Sequence, residues 1–115
     1  MKEIESKQDV ELLVEIFYQK LVEDELISHF FSKLDLKEHL PRVVQFWSFI
    51  LLDEDGYNTN MMEKHMKLDL KEEFFERWLK LFHETVDQFF IGEKADLAKQ
   101  RATLIGWTMK TKFIK

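Results

Sequence analysis

A chain of 115 residues has the length of one domain, large enough to bury a core but with little apolar surface to spare for an unfilled cavity. Its 22 acidic and 17 basic residues give a net charge of −5 with no basic block, which argues against nucleic acid, whose affinity rests on neutralising phosphates. The lack of cysteine excludes disulfides, thiolate zinc sites and iron–sulfur clusters; with no apolar leader and no membrane-length run, the reading is one cytoplasmic domain over 1–115 without a membrane partner.

Three glycines and one proline predict an all-α chain. The first helix begins near Ser6, where Ser6-Lys7-Gln8-Asp9 can close a capping box. Val10, Leu13, Val14, Phe17 and Leu21 recur at helical spacing as its buried stripe, with Tyr18 at the edge. Leu12 and Ile16 lie on the far side, which predicts cover on more than one face. A break near Glu25 leads to Ser28-His29-Phe30-Phe31, with room for a turn or two of helix.

Asp35-Leu36-Lys37-Glu38 repeats a capping pattern ahead of Leu40, Val43, Val44, Trp47, Ile50 and Leu51. Pro41 has no N–H and suits only a first turn, which predicts a regular helix from close to His39, not from Leu36. The glycine, asparagines and acidic residues of Asp53–Asn60 mark a loop, and His65 follows on a short segment. Asp69 and Glu72 cap the next helix, whose Phe75, Trp78, Leu79, Phe82, Val86 and Phe89 share one face until Gly92 ends it. The last helix runs from about Glu93 to Lys112 and carries Leu97, Arg101, Ala102, Leu104, Ile105 and Met109. Gly106 inside it costs about 1 kcal/mol relative to alanine, a sign of close approach by backbone or ligand.

No glycine-rich phosphate loop, serine elbow or His-Glu-x-x-His pair is present. His29, His39, His65 and His83 are too far apart in sequence to pair on one helix turn. His65, between an apolar helix and an aromatic-rich one, suits an axial haem ligand. Such a site needs one neutral imidazole, flat apolar walls on both faces and cations for the propionates. Phe31, Val43, Phe46, Trp78, Phe82 and Ile105 can supply walls, and Arg42, Lys64 and Lys67 the cations. Periodicity reads the same residues equally well as a phenylalanine-rich core with a boundary histidine. A haem-free helical protein-interaction domain is therefore the alternative.

Taken in order, the motifs resemble the truncated, two-on-two haemoglobins, specifically the third, bacterial group. Glu15-Ile16-Phe17-Tyr18 is similar to that group's helix bearing the tyrosine above the iron, and Lys37-Glu38-His39 with Gln45-Phe46-Trp47 to its distal helix. Tyr57-Asn58, Lys64-His65 and Leu68-Asp69-Leu70 resemble its loop and proximal segment. The run from Glu73 to Phe82 resembles its tryptophan helix, and Gln100-Arg101-Ala102 also fits. The resemblance covers nearly the whole chain, and Trp78 with His65 at the right interval before it is its most specific part.

The resemblance implies a truncated globin fold, two helix pairs crossed over each other around haem b. It makes His65 the proximal iron ligand and Tyr18, His39 and Trp78 the distal polar groups. Phe31 would wedge against the porphyrin and Arg42 would lie near a propionate. The implied ligands are diatomic gases (dioxygen, nitric oxide and carbon monoxide). Two hydrogen-bond donors over the ligand suit tight binding or redox chemistry, such as nitric oxide dioxygenation or peroxide reduction with His39 as proton shuttle. Turnover would draw on an unidentified external reductant.

Overall fold

The computed structural model describes residues 1–31, 35–54 and 72–113. Helix α1 spans Lys7–Glu23 and opens on the expected capping box. The Asp9 backbone N–H donates to Ser6 Oγ at 3.4 Å, while the Asp9 carboxylate accepts from the N–H groups of Ser6 (3.2 Å) and Glu5 (2.9 Å). Lys2 Nζ adds an ion pair to the same carboxylate at 2.9 Å. Val10, Leu13, Val14, Phe17 and Leu21 are buried as the spacing predicts. Tyr18 lies further in than the edge of the stripe, at 8 % exposed, because α2 and the turn after α1 close over it. Leu12 is 44 % exposed, so the second covered face expected of α1 does not include it. Ile16 on that face is half-buried.

The Lys2 ammonium and the Glu5 N–H hold the Asp9 carboxyl below the ordinary carboxylate value of 3.8. A folded pKa lower than the unfolded one contributes stability above pH 4 that is lost as the pH falls through the folded value. Acid melting of the wild type is therefore expected to steepen below about pH 4. Asp9→Asn should melt lower at pH 7 and show a shallower acid limb. Parallel acid limbs in the two proteins would remove this account of the cap.

After α1 a single 3-10 turn, Ser28–Phe31, leads toward α2, Leu36–Leu52. The start of α2 corrects the expectation of a helix from near His39. Asp35 is the N-cap and accepts from the Lys37 N–H at 3.1 Å, and the His39 N–H already donates to the Asp35 carbonyl at 2.9 Å. Pro41 thus sits inside the helix. At this depth its missing N–H removes one ladder bond, that to the Lys37 carbonyl, and the first ladder bond forms upstream of it. The Glu38–Arg42 pair, 3.1 Å apart, spans the gap.

Helix α3 spans Glu72–Phe89 and α4 spans Glu93–Phe113. They run antiparallel, since Glu72 meets Lys110 (2.6 Å), His83 meets Thr103 (3.1 Å) and Asp87 meets Lys99 (2.7 Å). The corner between them turns at Gly92, whose φ of +107° is open to glycine and strained for other residues, and a Cβ there would come within 2.7 Å of Glu3 Oε1. The backbone at Lys2 pairs with this corner, donating to the Phe89 carbonyl and accepting from the Ile91 N–H. Phe89 and Leu104 share the helical period but are exposed. The face of α4 turned inward is instead the small-residue series Ala95, Ala98 and Ala102, ending at Met109.

The helices form two pairs, α1 with α2 and α3 with α4, stacked through α1–α3 and α2–α4 contacts. No helix among the described residues is long and apolar enough to cross a membrane. Gly106 of α4 is buried against the Trp78 ring, where an added Cβ would stand 3.7 Å from Cζ3. That is ordinary van der Waals spacing, so the close approach signalled by this glycine leaves room for a methyl group. Gly106→Ala is expected to stabilise the protein by about 0.5–1 kcal/mol in urea unfolding through helix propensity. A loss of stability would mean that Trp78 cannot give way.

Candidate functional site

Tyr18, in the last two turns of α1, points its hydroxyl at α2. Its Oη lies 2.9 Å from His39 Nε2, and the direction of that single hydrogen bond follows the imidazole tautomer. The rings are tilted at 59°, with centroids 5.3 Å apart. Burial pushes the Tyr18 pKa well above that of a free phenol, so the group stays protonated throughout the physiological range. His39 is half-buried in the first turn of α2, close to solvent.

Periodicity then carries the wall along α2. His39, Val43 and Phe46 fall at i, i+4 and i+7, and all three are half-buried. The neighbouring face, Val44, Trp47, Ser48 and Leu51, is fully buried. α2 therefore presents two stripes, one fully buried and one half-buried, and His39 of the second meets Tyr18. The 3-10 turn brings Phe31 to the same region, its ring edge-on to Tyr18 at 6.1 Å and tilted against Phe74 at 5.8 Å.

Trp78 on α3 is half-buried and packs edge-on to Phe17 at 5.7 Å, so Phe17 touches both Tyr18 and Trp78. Ile105, half-buried, is the residue before Gly106, and it is Gly106 that meets the Trp78 ring. Phe82 is 0 % exposed and stacks against both Trp47 and Trp78. Arg42 is exposed and paired with Glu38. His65 and Lys64, with Lys67, Tyr57, Asn58 and Asp69, lie outside the described residues.

The structure thus brings Tyr18 into contact with His39 and Phe31 and sets Trp78 at one remove, through Phe17. The polar groups sit against half-buried aromatic and branched side chains. This combination fits a flat apolar group that needs hydrogen-bond donors over one face. Phe74 was not singled out by sequence, yet it buttresses both phenylalanines of the 3-10 turn. Its only signal was its place at the head of an aromatic run.

A family model described as Bacterial-like globin matches residues 2–110. The group 3 truncated hemoglobin ctb of Campylobacter jejuni is 34% identical over 107 residues, covering 87% of this chain and 84% of that protein. The crystal structure of a group III truncated hemoglobin from Campylobacter jejuni superposes with a TM-score of 0.89 at 33% identity, covering 100% of this chain and 97% of that one.

Proposed function

The chain belongs to the bacterial-like globin family and has the all-α truncated globin fold, and on that premise we propose that it holds haem b through His65 and binds dioxygen, nitric oxide and carbon monoxide beside Tyr18, His39 and Trp78. The observation that carries this reading is the 2.9 Å contact between a buried phenol and a half-buried imidazole, set against an apolar wall.

Haem iron, when bound, supplies the gas coordination and the electron chemistry. The protein supplies donors and access. The protonated Tyr18 hydroxyl and the Trp78 indole N–H favour a ligand that carries negative charge on its outer atom. His39, with one nitrogen at Tyr18 and a ring near solvent, can move a proton between the two, as general acid–base work requires. Two donors in a dry pocket favour retention of the gas over its delivery. Retention fits nitric oxide dioxygenation or peroxide reduction, driven by a separate reductant, as the protein's activity.

The test is an absorbance spectrum of the protein mixed with haem, reduced and exposed to carbon monoxide, beside His65→Ala. A stoichiometric Soret band that shifts with carbon monoxide and is lost or altered in His65→Ala is the expected result. No stoichiometric haem uptake by the wild type would overturn the reading and leave a helical interaction domain in its place.

A further inference from the structure

We infer that the Asp24–Arg77 ion pair is a positioning clasp for the distal pocket, fixing Trp78 relative to Tyr18 and Phe31; the inference rests on the haem reading proposed above. Asp24 is the C-cap of α1, and its side chain is 5 % exposed. Each of its acceptor oxygens has a different task. Oδ1 accepts from the Leu26 N–H at 2.9 Å and the main-chain carbonyl from the Ser28 N–H at 2.9 Å, which shapes the turn into Ser28–Phe31. Oδ2 accepts from Arg77 Nε at 2.7 Å, across 53 residues of chain. One residue therefore ties together the end of α1, the 3-10 turn and α3.

Those three elements carry Tyr18, Phe31 and Trp78. The grip on α3 falls one residue before Trp78 and one turn after Phe74, against which Phe30 and Phe31 pack at 5.0 and 5.8 Å. Successive helical side chains are set 100° apart, so rotation of α3 about its axis moves Arg77 and Trp78 together. Burial alone would push the Asp24 carboxyl up, but Arg77 and the turn N–H groups hold it below its ordinary value, so the carboxylate stays charged. Arg77, 31 % exposed, can be solvated when released, whereas the carboxylate cannot. Phe74, Phe75 and Phe82 still anchor α3 in the core without the pair. Loss of the clasp thus leaves α3 in the fold but removes the polar tie that sets it, one residue before Trp78, against the end of α1 and the 3-10 turn.

Asp24→Asn keeps an amide oxygen for the Leu26 N–H and removes the charge facing Arg77. Arg77→Lys keeps the charge and removes the Nε donor. In the haem-free protein, both variants are expected to shift the Trp78 indole N–H resonance, identified by its loss in Trp78→Phe. In the haem-loaded protein, the carbon monoxide stretching frequency should move toward that of Trp78→Phe, and dioxygen release should quicken by about threefold to tenfold. A lowered melting temperature with the Trp78 resonance and the stretching frequency unmoved in both variants would reduce the pair to a structural contact and overturn the inference. If the wild type takes up no haem, the function proposed above fails, and the Trp78 resonance alone decides whether the clasp positions that ring. If Asp24→Asn does not fold, Arg77→Lys decides it.

Discussion

Phe82→Ala is expected to destabilise the protein by about 3–5 kcal/mol, a large part of the roughly 5–15 kcal/mol that holds a domain of this size folded. Phe82 is fully buried and, among the described residues, has Phe17 edge-on at 5.0 Å, Trp47 stacked at 4.9 Å and Trp78 stacked at 6.0 Å. Removing the ring takes away the transfer energy of a whole phenyl group and leaves a void. Its walls are flat rings on α1, α2 and α3, which cannot collapse without turning. Aromatic pairing adds about 0.5–1.5 kcal/mol for each well-placed neighbour. Urea unfolding at neutral pH measures the loss. A change smaller than about 1 kcal/mol would show that the site repacks freely, contrary to close packing around this ring.

The second large effect concerns ligand retention. Charge-assisted hydrogen bonds are worth about 1.5–3 kcal/mol each, so Trp78→Phe and Tyr18→Phe are each expected to speed dioxygen release by about tenfold or more. The double variant should reach about a hundredfold, on the scale of roughly 1.4 kcal/mol per decade. Tyr18→Phe has a second consequence, since it leaves His39 Nε2 without its 2.9 Å partner. A slightly lower melting temperature should accompany its kinetic effect. Stopped-flow displacement of dioxygen by carbon monoxide gives the rates. Fast release in the wild type, unchanged in both variants, would remove the donors from the account.

The helices were legible because burial leaves a period in the chain, and Ser6 and Asp35 because capping is local chemistry. The helix start at Leu36 was not, because the Asp35 cap and the His39 N–H bond to the Asp35 carbonyl set the helix upstream of Pro41 despite the ladder bond that the proline removes. Phe89 and Leu104 keep the period of a stripe, but the inward face of α4 is made of alanines, which carry weak hydrophobic signal. Tyr18 read as an edge residue because its cover comes from α2 and the 3-10 turn, neither of them near in sequence. In the candidate site, residue types and spacing reached only as far as a possible haem ligand with apolar walls. The roles of Tyr18, His39 and Trp78 came from the family resemblance. The Asp24–Arg77 pair left no trace in the pattern, because two residues 53 apart share no local motif.

The stacked arrangement of Trp47, Phe82 and Trp78 gives the protein an optical handle. Trp47 and Trp78 lie nearly parallel to the phenyl ring between them, at interplanar angles of 20° and 15°, and Trp47 is in the core. Trp107, the third indole in the chain, is 64 % exposed. A soluble quencher such as iodide therefore reaches Trp107 most, the half-buried Trp78 less and Trp47 least. Trp47 and Trp78 each stack on Phe82, so a displacement of that ring alters the surroundings of both. Intrinsic fluorescence in the haem-free protein thus grades from solvent at Trp107 to the core at Trp47, and the Trp78 site can be watched without attaching a dye.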